Sequence, residues 1–321
     1  MRAIRVSEHG GPEVLRYEEV PDPSAGPGQL LVDTQGVGVN YIDIYFRTGL
    51  YPQATPYVPG SEGTGVVAAV GSGVTEFAVG DRVAWAAAPG SYADKVAVDE
   101  AVAVKVPDGV EPTVAAAALL QGMTAHYLCE SVFTPEPGDP VLIHAGAGGV
   151  GLLLTQMAVA KGARVLTTVS TDAKAELSRA AGATEVLRYG DDLAERVREC
   201  TDGLGVAAVY DGVGASTFEA SLASLRVRGT LALFGAASGA VPPFDPQRLN
   251  PAGSLWLTRP SLGAYTRDRT EFLWRATDVF DGIAAGTLDL RIGATYPLAE
   301  ADRAHRDLAA RQTTGSIVLL P

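Results

Sequence analysis

Two hydrophobic rhythms divide the chain. From Met1 to about Pro107, short β-branched runs are cut at close intervals by Gly and Pro: LLVDTQGVGV, EGTGVVAAVGSGV, GDRVAWAA and SYADKVAVDEAVAVKVP. Runs of this length bounded by turn residues predict a compact, barrel-like all-β region. From Glu111 the period lengthens, and EPTVAAAALLQGMTAHYLCESV predicts one long alanine-rich helix. Apolar strands then alternate with helices: VLIHAG, a helix to Lys161, RVLTTVS, a helix to Ala181, EVLRYG, a helix to Thr201, AAVYDGVG, a helix to Arg228, and TLALFG. That alternation predicts a doubly wound parallel sheet with crossover helices, an α/β fold.

After SLWLTRPSL come two helical stretches, DRTEFLWRATDVFDGIAAG and AEADRAHRDLAAR, and a final strand, GSIVLLP. A terminal strand needs a sheet to join, and the early β region is the host within reach. The predicted organisation is therefore discontinuous: residues 1–122 and 265–321 form a β domain, and residues 123–264 form a nucleotide-binding domain inserted in it. A length of 321 residues fits two domains.

Composition narrows the function classes. With 47% hydrophobic and 19% charged residues the chain is that of an ordinary globular protein. A net charge of −12 works against binding phosphate backbones or anionic membranes, so no nucleic-acid partner is expected. An RNA-binding or purely NADPH-binding role without turnover is the alternative from another class. No apolar run approaches the roughly 20 residues that span a bilayer, and the N-terminus MRAIRVSEHG lacks the pattern of a signal peptide. Cys129 and Cys200 are far apart and form no CxxC pair, so both read as small apolar residues in a reducing cytoplasm.

The strand VLIHA runs into Gly146, Ala147, Gly148, Gly149, Val150 and Gly151, a G-x-G-x-x-G pattern at the head of a helix. The first glycine permits the tight turn, the second lets backbone approach a pyrophosphate, and the third lets helix and strand pack closely. Free N–H groups and the helix dipole then favour the phosphate charge. At the end of the next strand, TTVSTDAK offers Ser170 and Lys174 and no carboxylate before Asp172. A hydroxyl and a cation there suit the 2′-phosphate of NADP, which a carboxylate would repel. The alternative is that Ser170 or Thr171 caps the next helix and Lys174 is solvated. Asp172 lies one or two residues from the position where NAD binders carry an acid.

The segments GVNYIDIYFRTGLYP, EGTGVVAAVGSGVTEFAVGDRV, HAGAGGVG, GSLWLTRPSL and TTGSIVLLP resemble, in combination and across the whole chain, the zinc-free quinone oxidoreductases of the medium-chain dehydrogenase/reductase superfamily. The resemblance implies an NADPH-dependent reductase with a chaperonin-10-like (GroES-like) catalytic domain and a Rossmann domain, usually a homodimer paired through the Rossmann domains. By position it implies Ser170, Lys174, Tyr189 and Arg311 around the adenosine 2′-phosphate, and Thr124 with the backbone of Phe234 and Gly235 by the nicotinamide. Asn40, Tyr45 and Tyr51 would line the substrate side. Gln121 and His126 depart from relatives with Lys and Tyr there, which bears on substrate preference.

Zinc alcohol dehydrogenases share this architecture, but Asn40 and Ser61 stand where they carry a ligating Cys and His, and their four-cysteine lobe is missing. His9, His126, His144 and His305 have no ligand spacing, so no metal is expected. His144 reads as a buried structural residue, whereas His126 reads equally as packing or as facing the substrate. Without a Lewis acid the chemistry favours electron-poor acceptors, quinones or conjugated carbonyls, whose reduction gives a delocalised oxyanion. Asn40, Tyr45 and Tyr51 either donate a hydrogen bond to the acceptor oxygen or simply pack the wall. An enoyl-thioester or 2-alkenal reductase is the alternative on the same scaffold. Arg259 reads equally as a cofactor contact or a surface ion pair, and SLWL as an edge strand paired across a dimer.

Overall fold

The computed structural model describes residues 1–321 and divides into two compact units, residues 1–123 with 266–321, and residues 124–265. In the first, β1 (Arg2–Val6) and β2 (Leu15–Glu19) form an antiparallel pair. Then come β3 (Gln29–Val39), α1 (Tyr41–Arg47), β4 (Glu62–Val70), β5 (Arg82–Ala86), β6 (Lys95–Asp99), β7 (Ala103–Lys105), α2 (Pro112–Ala115) and α3 (Leu119–Tyr127), whose residues from Thr124 onward belong to the second unit.

The second unit holds β8 (Pro140–Ile143), α4 (Gly149–Ala160), β9 (Arg164–Val169), α5 (Asp172–Ala180), β10 (Glu185–Arg188), α6 (Leu193–Glu199), β11 (Val206–Asp211), α7 (Phe218–Ser224), β12 (Leu225–Leu233) and β13 (Trp256–Thr258). The chain returns to the first unit with α8 (Arg269–Ala284), β14 (Ile292–Pro297), α9 (Ala301–Ala309) and β15 (Ser316–Leu320).

The terminal strand does find its sheet. In the seven-stranded sheet β15 lies between β14 and β3, in the order β14-β15-β3-β4-β5-β7, with β6 on β3. Two apolar clusters support it, one around Leu30, Val32, Val67, Val83 and Trp85, the other around Val37, Val39, Ile317 and Leu319. Gly38 of β3 is required by a neighbour, because a Cβ there would sit 2.3 Å from the Glu62 carboxyl.

The other sheet is parallel throughout, in the order β10-β9-β8-β11-β12-β13. The order reverses at β8, and a ligand crevice belongs at the carboxyl ends of the strands beside such a switch point. Leu142, Leu166, Val209 and Leu231 fill its core.

Two elements differ from expectation. The single helix from Glu111 is broken, because a turn at 116–118 separates α2 from α3 and a wide-turn segment, Leu128–Val132, follows. The Leu120 N–H leaves the helical ladder and donates instead to Glu62 Oε2 at 2.8 Å. The helix expected to reach Arg228 ends at Ser224, and β12 starts at once. Its LRVRGTLAL pattern pairs with β11, and Arg228 takes a φ of 60° where the register shifts. Cys129 is buried, but Cys200 is only half-buried.

Candidate active site

At the carboxyl end of β8 the chain turns through Ala145, at φ 53°, into the glycine loop. Gly146 donates its N–H to Thr168 O at 3.0 Å, and Gly148 to Ala145 O at 2.8 Å. A Cβ on Gly146 would lie 2.6 Å from that of Thr167, and one on Gly151 would lie 2.3 Å from Ala145 O. The loop is thus folded back on itself so tightly that only glycine fits. It leads into the twelve-residue α4, whose first N–H groups, those of Gly149, Val150 and Gly151, have no carbonyl one turn behind them. Such a cradle with a helix N-terminus fits a pyrophosphate.

The ends of the neighbouring strands gather at the same edge. After β9, Ser170 and Thr171 are exposed, and Thr171 is the residue that caps α5, its Oγ1 accepting from Lys174 N at 3.3 Å. Lys174 is half-buried. Asp172, the residue that would oppose a 2′-phosphate, is held by the Arg188 guanidinium, which also donates to Thr171 O. After β10, the Tyr189 hydroxyl accepts from Ala145 N at 2.9 Å, and its ring stacks on His144 at 6.0 Å. Tyr189 therefore touches the glycine loop itself. After β11 and β12, Phe234 N donates to Asp211 O at 2.9 Å, and a Cβ on Gly235 would lie 2.4 Å from Gly212 O.

Beneath the loop runs a buried hydrogen-bond chain. Asp211 accepts from Val213 N (2.8 Å), Gly214 N (3.0 Å), Thr217 Oγ1 (2.8 Å) and Ser221 Oγ (2.7 Å). Because Ser221 spends its proton on Asp211, its oxygen accepts from His144 Nε2 at 3.0 Å, and Nδ1 then accepts from Thr168 Oγ1 at 2.8 Å. Burial pushes the His144 pKa down, in keeping with a neutral ring. His144 is a structural histidine that ties β8, β9 and α7 together under the loop.

Arg311 lies in the first unit, just past α9 at φ 58°. Thr124 is buried on α3. Arg259 donates to Pro260 O at 3.3 Å, and Trp256 on the edge strand β13 is 69% exposed.

In the first unit, Asn40 caps α1 and is 5% exposed. Its Nδ2 donates to Glu62 Oε1 at 2.6 Å, and its Oδ1 accepts from Gln121 Nε2 at 2.9 Å. Gln121 Oε1 in turn accepts from Ser316 Oγ at 2.8 Å. The three donors all point toward Glu62. Burial pushes the Glu62 pKa up to about 8 against the pull of the Asn40 and Leu120 hydrogen bonds.

A second chain meets Asn40 at its backbone, where Asp43 Oδ2 accepts from Asn40 N at 2.8 Å. Tyr92 donates its hydroxyl to the same oxygen at 2.9 Å, so the phenol accepts from His305 Nε2 (3.1 Å), and His305 Nδ1 from Arg47 Nη1 (3.1 Å). Burial and the Arg47 charge press the His305 pKa down to about 3, and burial raises Asp43 to about 7. Tyr45 is buried and its ring lies 5.1 Å from that of half-buried Tyr51, with Phe46 against the same ring.

Sequence reasoning overlooked Glu62, Ser316, Asp43, Arg188 and Asp211. The one available signal was a carboxylate inside the otherwise apolar strand EGTGVVAAV. No group of three or more His, Cys, Asp or Glu side chains is arranged to hold a metal ion.

Comparison with known proteins identifies the family. Residues 26–108 match the alcohol dehydrogenase GroES-like domain, and residues 149–273 match the zinc-binding dehydrogenase family. A quinone oxidoreductase of Pseudomonas aeruginosa is 44% identical over 325 residues, covering 100% of this chain and 99% of its own. A 2-haloacrylate reductase of Burkholderia is 42% identical, covering 99% of this chain and 98% of its own. A mycobacterial protein solved in complex with NADPH is 58% identical, with a TM-score of 0.98 over 100% of both chains. The chain belongs to the quinone oxidoreductase family of the medium-chain dehydrogenase/reductase superfamily, oxidoreductases that join a GroES-like unit to a Rossmann unit.

Proposed function

We propose that the protein is an NADPH-dependent quinone reductase. The observation that carries this reading is the glycine cradle at the head of α4, where Gly151 admits no Cβ, with Ser170 just past the adjacent strand β9 and Lys174 in the first turn of α5. In this reading the N–H groups of Gly149, Val150 and Gly151 receive the pyrophosphate, and Gly148 lets the backbone approach it. Ser170, Lys174, Tyr189 and Arg311 receive the 2′-phosphate, with Asp172 neutralised by Arg188. Thr124 and the backbone of Phe234 and Gly235 position the nicotinamide, and Ala147 lines the loop.

When bound, the reduced nicotinamide supplies a hydride, two electrons with one proton. Asn40 offers a hydrogen bond to the acceptor oxygen as negative charge builds on it, and Tyr45 and Tyr51 shape the pocket and exclude water. A quinone plus hydride plus one solvent proton gives the hydroquinone, which balances the reaction. The Burkholderia relative, a 2-haloacrylate reductase, favours a second reading in which a conjugated carbonyl takes the hydride at carbon.

The assembly we propose is a cytoplasmic homodimer joined along the Rossmann edge strand β13. No helix is long and apolar enough to cross a membrane. Light scattering of the purified protein tests the dimer, with a monomer mass counting against it.

The test of function is loss of reduced-nicotinamide absorbance with para-benzoquinone and crotonyl-CoA in parallel, and NADH as control. Quinone-dependent turnover that prefers NADPH is expected. Turnover with the thioester alone replaces the substrate, and silence with both removes the catalytic reading.

A further inference from the structure

Glu62 ends a chain in which every link has a direction. An ionised carboxylate can only accept, so the Asn40 atom facing Oε1 at 2.6 Å is Nδ2. That places Asn40 Oδ1 toward Gln121 Nε2 and Gln121 Oε1 toward the Ser316 hydroxyl. One N–H of Asn40 is spent on Glu62, and the second remains.

A proton on Glu62 has only one place to go. Oε2 already accepts from Leu120 N at 2.8 Å, so the proton lies on Oε1 and must be donated to Asn40. Asn40 then turns Oδ1 to Glu62 and an N–H to Gln121, Gln121 turns an N–H to Ser316, and the entire chain reverses. The spare N–H of Asn40 shifts from the Glu62 side of the amide to the Gln121 side. It also becomes the better donor to a developing anion, because no carboxylate charge lies beside it.

We propose that Glu62 is a positioning residue for the reductase, its protonation setting the direction of the Ser316–Gln121–Asn40 chain and hence which Asn40 N–H meets the acceptor. This deepens, and rests on, the reading that Asn40 contacts the acceptor. The other charged or titratable groups near Glu62 are Asp43, whose charge raises the Glu62 pKa, and Tyr92, His305 and Arg47 on the adjoining chain. Arg47 is a standing cation, and His305 is held neutral down to about pH 3. Asp43, raised to about 7, is the one neighbour whose titration overlaps.

Glu62→Gln separates the cases. With Leu120 N fixed on the amide oxygen, the new amide N–H can only donate to Asn40, so the variant copies the protonated arrangement at every pH. For the wild type, kcat/KM for para-benzoquinone should fall about tenfold through one step near pH 8. Glu62→Gln should match the wild type at pH 6, exceed it about tenfold at pH 9.5 and show no step, with an unchanged Kd for NADPH. A step that survives in Glu62→Gln overturns the proposal. Asn40→Ala keeps the two readings apart: if it leaves quinone kcat/KM unchanged, the acceptor contact itself is wrong. If it slows turnover while Glu62→Gln keeps its step, only the role of Glu62 fails. Should Glu62→Gln not fold, the infrared band of the buried protonated carboxyl in wild-type protein with isotope-labelled glutamate must titrate together with kcat/KM. A band that titrates elsewhere, or is absent, overturns the proposal.

Discussion

Asp211 and Glu62 are both buried carboxylates at the end of a hydrogen-bond chain, one under the glycine loop, the other beside Asn40. Four donors meet Asp211, two from backbone and two from hydroxyls. Only two meet Glu62, and its pKa is raised to about 8 by burial. With so few donors, much of the cost of desolvating the Glu62 charge goes unmet, because each donor offsets only part of it. The nucleotide unit needs a loop that stays put. In the proposed reductase, Asn40 in the other unit needs to answer to charge appearing on an acceptor.

The largest effect expected is on stability. Asp211→Ala leaves four donors without their acceptor and should cost about 3–5 kcal/mol in denaturant unfolding. A loss below about 1 kcal/mol would mean the donors find other partners and that Asp211 is no anchor.

Gly151→Ala comes next, since its Cβ would meet Ala145 O at 2.3 Å and force the loop off the helix. The Kd for NADPH should rise roughly a hundredfold by fluorescence titration, with quinone chemistry otherwise intact at saturating cofactor. A Kd that stays put would disconnect the loop from the nucleotide.

Arg188→Ala uncovers Asp172 and should erode the preference for NADPH over NADH by about tenfold in the ratio of kcat/KM. If the ratio holds, Asp172 does not face the 2′-phosphate.

The pH dependence of stability sharpens the comparison further. Glu62 is raised in the folded state, so folding takes up a proton between its unfolded pKa near 4.5 and about 8. Its stabilisation is complete below the lower value and lost as pH rises, by at most about 1.4 kcal/mol per pH unit. Asp43 adds the same sign up to about 7, whereas His305, depressed to about 3, works oppositely and destabilises as pH falls below its unfolded value. Melting curves of Glu62→Gln should therefore slope less from pH 5 to 8 than those of the wild type. Equal slopes would place the titration elsewhere. The smallest effect is that of Tyr51→Phe, expected to change kcat by about twofold or less if the ring chiefly packs on Tyr45 and Phe46.

The glycine loop, the alternation of strands and helices, and the return of the terminal strand were legible in the sequence because each rests on local chemistry. A turn needs glycine, a crossover needs an amphipathic helix, and an apolar end needs a sheet. The break at residues 116–118 was illegible, because the alanines there are good helix formers and the cause is a carboxylate 58 residues away in β4 taking the Leu120 N–H.

Asn40 was implied by the family resemblance of its segment, but its partners were not legible. Glu62, Gln121 and Ser316 converge from β4, α3 and β15, elements distant in the chain. The sequence by itself determined the glycine loop, the alternation of strands and helices and the terminal strand's need for a sheet, since those follow from spacing and backbone freedom. Only the tertiary structure decided which buried polar groups meet and how many donors each carboxylate receives, because burial and pairing are properties of the assembled neighbourhood and not of any residue alone.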